Sequence, residues 1–204
     1  MTQVFTEEGD AVSNVGSPTE HVPTADAAAR LLVAYAQQWH NVLFNNYDPR
    51  RMAWLEASRT AAEKIGDRLG EANVLRAIGD VQQFRKDNEA AVQSYEQALG
   101  LFRAVGDRLG EANVLAAQGQ AALSGDQEAA DLLLEQALAI YRAIGSHYSI
   151  AAQIGNYGWT LLRIGHTAQA RIYLARAADL FAEMGLDDYA ERHRQAAASA
   201  DAHS

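Results

Sequence analysis

Residues 66–75, GDRLGEANVL, recur letter for letter as residues 106–115, 40 positions later. Each copy follows an apolar run of helical period, RTAAEKI before Gly66 and LGLFRAV before Gly106. The same arrangement recurs at Gly145 after LAIYRAI and at Gly185 after ADLFAEM. Glycine just past a periodic run stops a helix, because it reaches the left-handed conformation without a steric penalty. Asp67 and Asp107 then stand where an N-cap is needed. The decamer therefore spells a helix stop, a cap and the first turns of a new helix. Its second glycine, Gly70 or Gly110, sits inside that helix start, where a missing side chain allows close approach to the preceding unit.

Each period holds two helices. Leu75, Ile78 and Gly79 are followed by Ala91, Tyr95 and Ala98. The next unit has Leu115, Gln118 and Gly119, then Ala130, Leu134 and Ala137. The third has Ile154, Tyr157 and Gly158, then Ala170, Leu174 and Ala177. These spacings place each set on one helical face. Polar turns, RKDNE, SGDQE and GHTAQ, separate the two halves, and the middle turn is one residue shorter.

This pattern resembles the tetratricopeptide repeat (TPR) family: a large residue, an apolar residue and glycine, then alanine, an aromatic and alanine. The long period with a Gly-Asp linker is more similar to the TPRs of kinesin light chains and bacterial signalling ATPases than to the 34-residue form. Departures are Leu or Ile for the family's Trp, Gln118 for an apolar residue, Leu134 and Leu174 for the aromatic, and no terminal proline. The resemblance implies an all-α chain wound as a right-handed superhelix of antiparallel helix pairs. Full repeats are expected at 66–105, 106–144 and 145–184. A degenerate unit is expected at 24–65, with Leu32, Tyr35, Trp39, Val42 and Leu43 on one stripe and a second helix opened by Asp48-Pro49. A capping helix is expected at 186–198, within an array spanning 24–198. Residues 1–23, acidic and without an apolar period, read as a disordered arm, and 199–204 as a tail.

Composition narrows the function. The 204 residues contain no cysteine, which removes disulfides, thiolate metal sites and cysteine nucleophiles. The net charge is −9, and the ends hold most of it. The near-balanced middle lacks the clustered Lys and Arg that nucleic acid requires. No apolar run is long enough to cross a bilayer. The first residues, MTQVFTEEGD, do not read as a secretory signal, so the expected compartment is the cytoplasm. Phosphate-loop, dinucleotide, zinc-protease and serine-hydrolase motifs are absent. Asp188, Glu191 and His193 are the one metal-like grouping, and their spacing does not gather them on one helical face. The sequence therefore points to no enzyme, no cofactor and no metal, with the last three residues read as part of a solvated cap.

The resemblance implies a concave groove, lined by the first helices, that binds a peptide or protein segment. Its positions fall on Asn73, Arg76, Asp80, Gln83 and Phe84; on Asn113, Ala116, Gln120, Leu123 and Ser124; and on Ala152, Gly155, Trp159, Leu162 and Arg163. Asn156 stands where kinesin-light-chain-like repeats use an asparagine to hold a ligand backbone. Trp159 is expected to project into the groove near Leu162 and Leu123, or else to pack against a terminal helix. Arg76 and Arg163 flank this stretch and suit a ligand with acidic and apolar residues. The chaperone-type carboxylate clamp is not matched, because Asp80 follows Arg76 and opposes a carboxylate ligand. The implied function is a scaffold or adaptor, with self-association possible. The alternatives are a component of a larger bacterial nucleotide-dependent signalling system, and an enzyme with an unrecognised pocket.

Overall fold

The computed structural model describes residues 27, 29–34 and 50–201. Among these residues there are helices and turns and no strand. A helical stretch at 29–34 precedes eight helices. They are α1 (Arg50–Ile65), α2 (Arg68–Phe84), α3 (Asn88–Val105), α4 (Arg108–Ala122), α5 (Gln127–Ala143), α6 (His147–Arg163), α7 (Thr167–Glu183) and α8 (Asp187–Asp201). The arm at 1–23, the stripe residues Tyr35, Trp39, Val42 and Leu43, the Asp48-Pro49 start and residues 202–204 lie outside the described residues.

The breaks fall at the expected glycines. Gly66, Gly106, Gly145 and Gly185 have φ of 70°, 75°, 69° and 72°. At Gly106 the turned backbone donates from Asp107 N to Phe102 O at 2.9 Å and from Gly106 N to Arg103 O at 3.2 Å, satisfying carbonyls that the helix end would orphan. The next helix starts at once. Asp107 Oδ1 accepts from Gly110 N at 3.0 Å, and Asp67 Oδ1 from Gly70 N at 2.8 Å. Asp87 and Asp126 cap α3 and α5 in the same way. The third unit departs: neither Ser146 nor His166 makes a side-chain cap bond. The terminal helix also runs past the expected 198, to Asp201. Ala190, Ala196, Ala197 and Ala200 turn its buried face inward.

The helices pack in consecutive pairs: α2 on α3, α4 on α5, α6 on α7, and α8 on α7. The first helices also touch one another, α2 with α4 and α4 with α6. Ala91, Ala98, Ala130, Ala137, Ala170 and Ala177 are all fully buried. These small residues on the second helices bring each pair close together. The first helices answer with glycine. A Cβ on Gly79 would lie 2.5 Å from Tyr95 Cε1, and one on Gly158 would lie 2.9 Å from Leu174 Cγ. Between units, the ring of Phe102 occupies the space a side chain on Gly110 would need.

The two decamers are identical in sequence but have different surroundings. Phe102 covers Gly110, whereas Val33 and the Asp67 carboxylate crowd Gly70; at the position equivalent to Phe102, α1 carries the smaller Ala62. Glu111 is buried and ion-paired with Arg103 at 2.8 Å and with Arg108. Its counterpart Glu71 faces Glu63 where Glu111 faces Arg103. Partial burial, then the Glu63 charge, push the Glu71 carboxyl above its usual range.

Two glycine substitutions separate packing from helix propensity. Gly100 lies inside α3 with nothing near its missing side chain. Gly100→Ala is expected to stabilise the fold by about 1 kcal/mol through propensity alone. Gly110→Ala is expected to destabilise it by about 1–3 kcal/mol, because Phe102 must move. Urea midpoints of the two variants check the opposite signs.

Candidate functional site

The first helices present the expected surface positions, but the chain already uses several of them. Asn73 Nδ2 donates to Leu69 O, 2.9 Å away on its own helix. Arg76 pairs with Asp80 at 3.1 Å, both side chains partly buried. Asp80 also accepts from the Tyr95 hydroxyl at 2.9 Å, and Gln83 accepts from the same hydroxyl at 3.0 Å. Asn113 accepts from the Tyr141 hydroxyl at 2.6 Å. Gln120 donates to Gln153 at 3.3 Å, which ties α4 to α6. Phe84 is exposed at the end of α2. Of these, Asp80, Gln83, Asn113 and Gln120 hold helix to helix before any ligand arrives.

Three expected positions are buried. Leu123 is 3% exposed and belongs to the main core. The physical reason is helix length: α4 ends at Ala122 after 15 residues, whereas α2 and α6 have 17. Leu123 is the C-cap of this shortened helix, keeps helical φ and ψ of −52° and −29°, and is buried where the chain turns toward α5. Ala116 is buried. Gly155 is covered by His193, whose Nε2 would lie 2.5 Å from a Cβ there.

Asn156, Trp159, Leu162 and Arg163 remain together on α6. Asn156, Trp159 and Arg163 are exposed and Leu162 is half-buried. Trp159, Thr160, Leu162 and Arg163 line one open cleft of about 400 Å³. Thr160 Oγ1 donates to the Asn156 backbone carbonyl at 3.0 Å, and Asn156 is exposed. No carboxylate pairs with Arg163 among the described residues. The cleft thus offers an indole face, an aliphatic side and a cation, with the exposed Asn156 on the same helix outside its lining. Trp159 packs edge-on against His193 of α8, with centroids 6.2 Å apart, as the second of its two expectations had it, and it remains 40% exposed. His193 in turn packs against Phe181 at 5.1 Å, and Phe181 stacks on Tyr189 at 5.2 Å. The indole is the outer end of an aromatic chain that joins α6, α7 and α8.

His193 corrects the sequence analysis, which placed it on a solvated cap. It is buried, and its Nδ1 donates to Tyr189 O at 2.7 Å. Asp188 and Glu191 are exposed, and no group of three or more His, Asp or Glu suited to a metal ion occurs among the described residues. The sequence analysis also missed Asp131, which accepts from Tyr157 at 2.5 Å and from Tyr173 at 3.4 Å. A second apolar cleft, of about 430 Å³, opens beside the shortened α4–α5 turn, between Val92, Ala121, Ala122 and Leu133. Gln118, the polar departure from the family pattern, stands at its edge.

The chain matches no protein-family model, and no curated protein matches it.

The buried tyrosines make stability depend on alkaline pH. Burial pushes the phenols of Tyr95, Tyr141 and Tyr157 above their ordinary range; Asp80 adds to this at Tyr95 and Asp131 at Tyr157. Unfolded phenols ionise near pH 10, while the folded ones keep their protons to higher pH. The stabilisation is therefore complete below about pH 10 and is lost above it, by up to about 1.4 kcal/mol per pH unit for each tyrosine. Urea midpoints between pH 8.5 and 11.5 should fall along such a limb. Tyr95→Phe should make the limb shallower, and absorbance at 295 nm should show these phenols silent while the chain is folded.

Proposed function

We propose that this chain is a non-enzymatic, TPR-like scaffold that binds a peptide or protein segment on its first helices. The helix pairs divided by left-handed glycines, and the contacts of α2 with α4 and α4 with α6, support a superhelical array whose first helices share one face. The observation that carries the functional reading is the α6 cleft, with a half-exposed tryptophan beside Leu162 and Arg163. Large aromatic anchors rimmed by polar groups are the usual centre of a recognition surface.

The ligand that suits it is an extended segment bearing a large apolar residue next to an acidic one. The apolar side chain lies on Trp159 and Leu162, the carboxylate meets Arg163, and the Asn156 amide satisfies a ligand peptide bond. Arg76 drops out of this scheme, since Asp80 already neutralises it. The polar groups of α2 and α4 serve as rigid walls rather than as the principal contacts. Affinity in the micromolar range, about −8 kcal/mol, suits a short segment that must be ordered on binding.

Selection of a displayed random peptide library on the full chain tests the proposal. Selected peptides are expected to share an acidic residue beside a large apolar one. Their affinity should fall at least tenfold, about 1.4 kcal/mol or more, in Trp159→Ala and in Arg163→Glu. Asn156→Ala should weaken binding less, with circular dichroism unchanged in all three. Peptides that bind these folded variants as well as the wild type would refute the assignment. Loss of helicity in Trp159→Ala would make that residue a core group, and Arg163→Glu would then decide.

A further inference from the structure

We propose that the outer faces of α5 and α7 form a two-fold interface with a second copy of this chain. Leu132 and Ile172 are 60% and 63% exposed, the most exposed large apolar side chains among the described residues. They hold equivalent positions, each six residues past its N-cap, Asp126 or His166. The two helices are neighbours, since Asp131 on α5 accepts from Tyr173 on α7. The two side chains therefore belong to one patch and are not scattered surface residues.

The charges around the patch identify its partner. Along α5 the exposed groups run from acidic, Glu128 and Glu135, to basic, Arg142. Along α7 they run from basic, Arg171 and Arg176, to acidic, Asp179 and Glu183. Because α6 reverses the chain between them, α5 and α7 point the same way. A two-fold axis along their seam lays α5 of one copy on α7 of the other, in parallel. Leu132 then meets Ile172 of the second copy. The acidic half of α5 meets the basic half of α7, and Arg142 meets the acidic end. Every contact is made twice, as a two-fold interface requires.

An axis turned across the helices would instead stack α5 on itself about Leu132. Glu128 of one copy would then lie near Glu135 of the other, twice over, and like charges disfavour this. The surface pair Glu135–Arg142, 3.6 Å apart and about half exposed on both sides, is weak within one chain and does not compete strongly. The patch lies on second helices and leaves the Trp159 cleft free, so it stands or falls independently of the proposed function.

Sedimentation equilibrium of the full chain across a concentration series tests the interface. The wild type is expected to form a reversible dimer. Leu132→Ser and Ile172→Ser should each weaken it at least tenfold. Glu135→Arg and Arg176→Glu should each weaken it, and the double reversal should recover most of the loss. All four positions are exposed, so circular dichroism should not change. A wild type that stays monomeric up to about 1 mM would overturn the proposal. So would a dimer indifferent to Leu132→Ser, one that the double reversal fails to recover, or one abolished by Trp159→Ala.

Discussion

Close approach of helices through residues with little or no side chain is the constraint on which this structure depends. Tyr95 can lie across α2 only because Gly79 has no Cβ, and Leu174 can reach α6 only because of Gly158. Once the backbones are that close, buried alanines on the second helices complete the contact. The tyrosine hydroxyls are then delivered to fixed acceptors: Tyr95 to Asp80 and Gln83, Tyr141 to Asn113, Tyr157 to Asp131. Each is a large apolar body with a polar end that must be satisfied when buried. Packing and polar satisfaction are thus one device. It also explains why much of the surface on α2 and α4 is already engaged, and why the open chemistry gathers on α6.

The order of helices was legible in the sequence because the signals that set it are local. A glycine with positive φ, an aspartate three residues before the amide it caps, and apolar positions at helical spacing each act within a turn or two. The Arg76–Asp80 pair has an equally local i,i+4 spacing, yet the sequence analysis took Arg76 for a ligand contact and did not pair the two. The surface was less legible because its state depends on distant elements. Leu123 is buried at the end of the shortened α4, a local difference that transfer of a family frame does not register. His193 is buried because Gly155, on another helix, leaves room for it. Asp131 reads as one more surface carboxylate until two tyrosines from later helices converge on it.

Trp159, the proposed anchor, also has a structural contact. Its edge contacts His193 and so joins the aromatic chain into α8, while its remaining surface lines the cleft. An anchor held on one side by packing has fewer rotamers to lose when a ligand covers the other. The terminal helix therefore preorganises the cleft as well as closing the array.

The twin decamers have a consequence for how the chain finds its register. Two identical segments 40 residues apart could exchange places during folding, with the second docking on the helix that belongs to the first. The helices that receive them differ in shape and charge. Phe102 fills the space above Gly110, and Arg103 holds Glu111. On α1 the matching residues are Ala62 and Glu63. Because the copies are identical, Glu111 on α1 would meet the same Glu63 that Glu71 already meets, so the decamers alone carry no address. The register is set instead by what is covalently joined to each copy: a two-residue Gly-Asp link ties each decamer to the helix before it, and the helices diverge just beyond it, with Arg76 and Asp80 in α2 where α4 has Ala116 and Gln120.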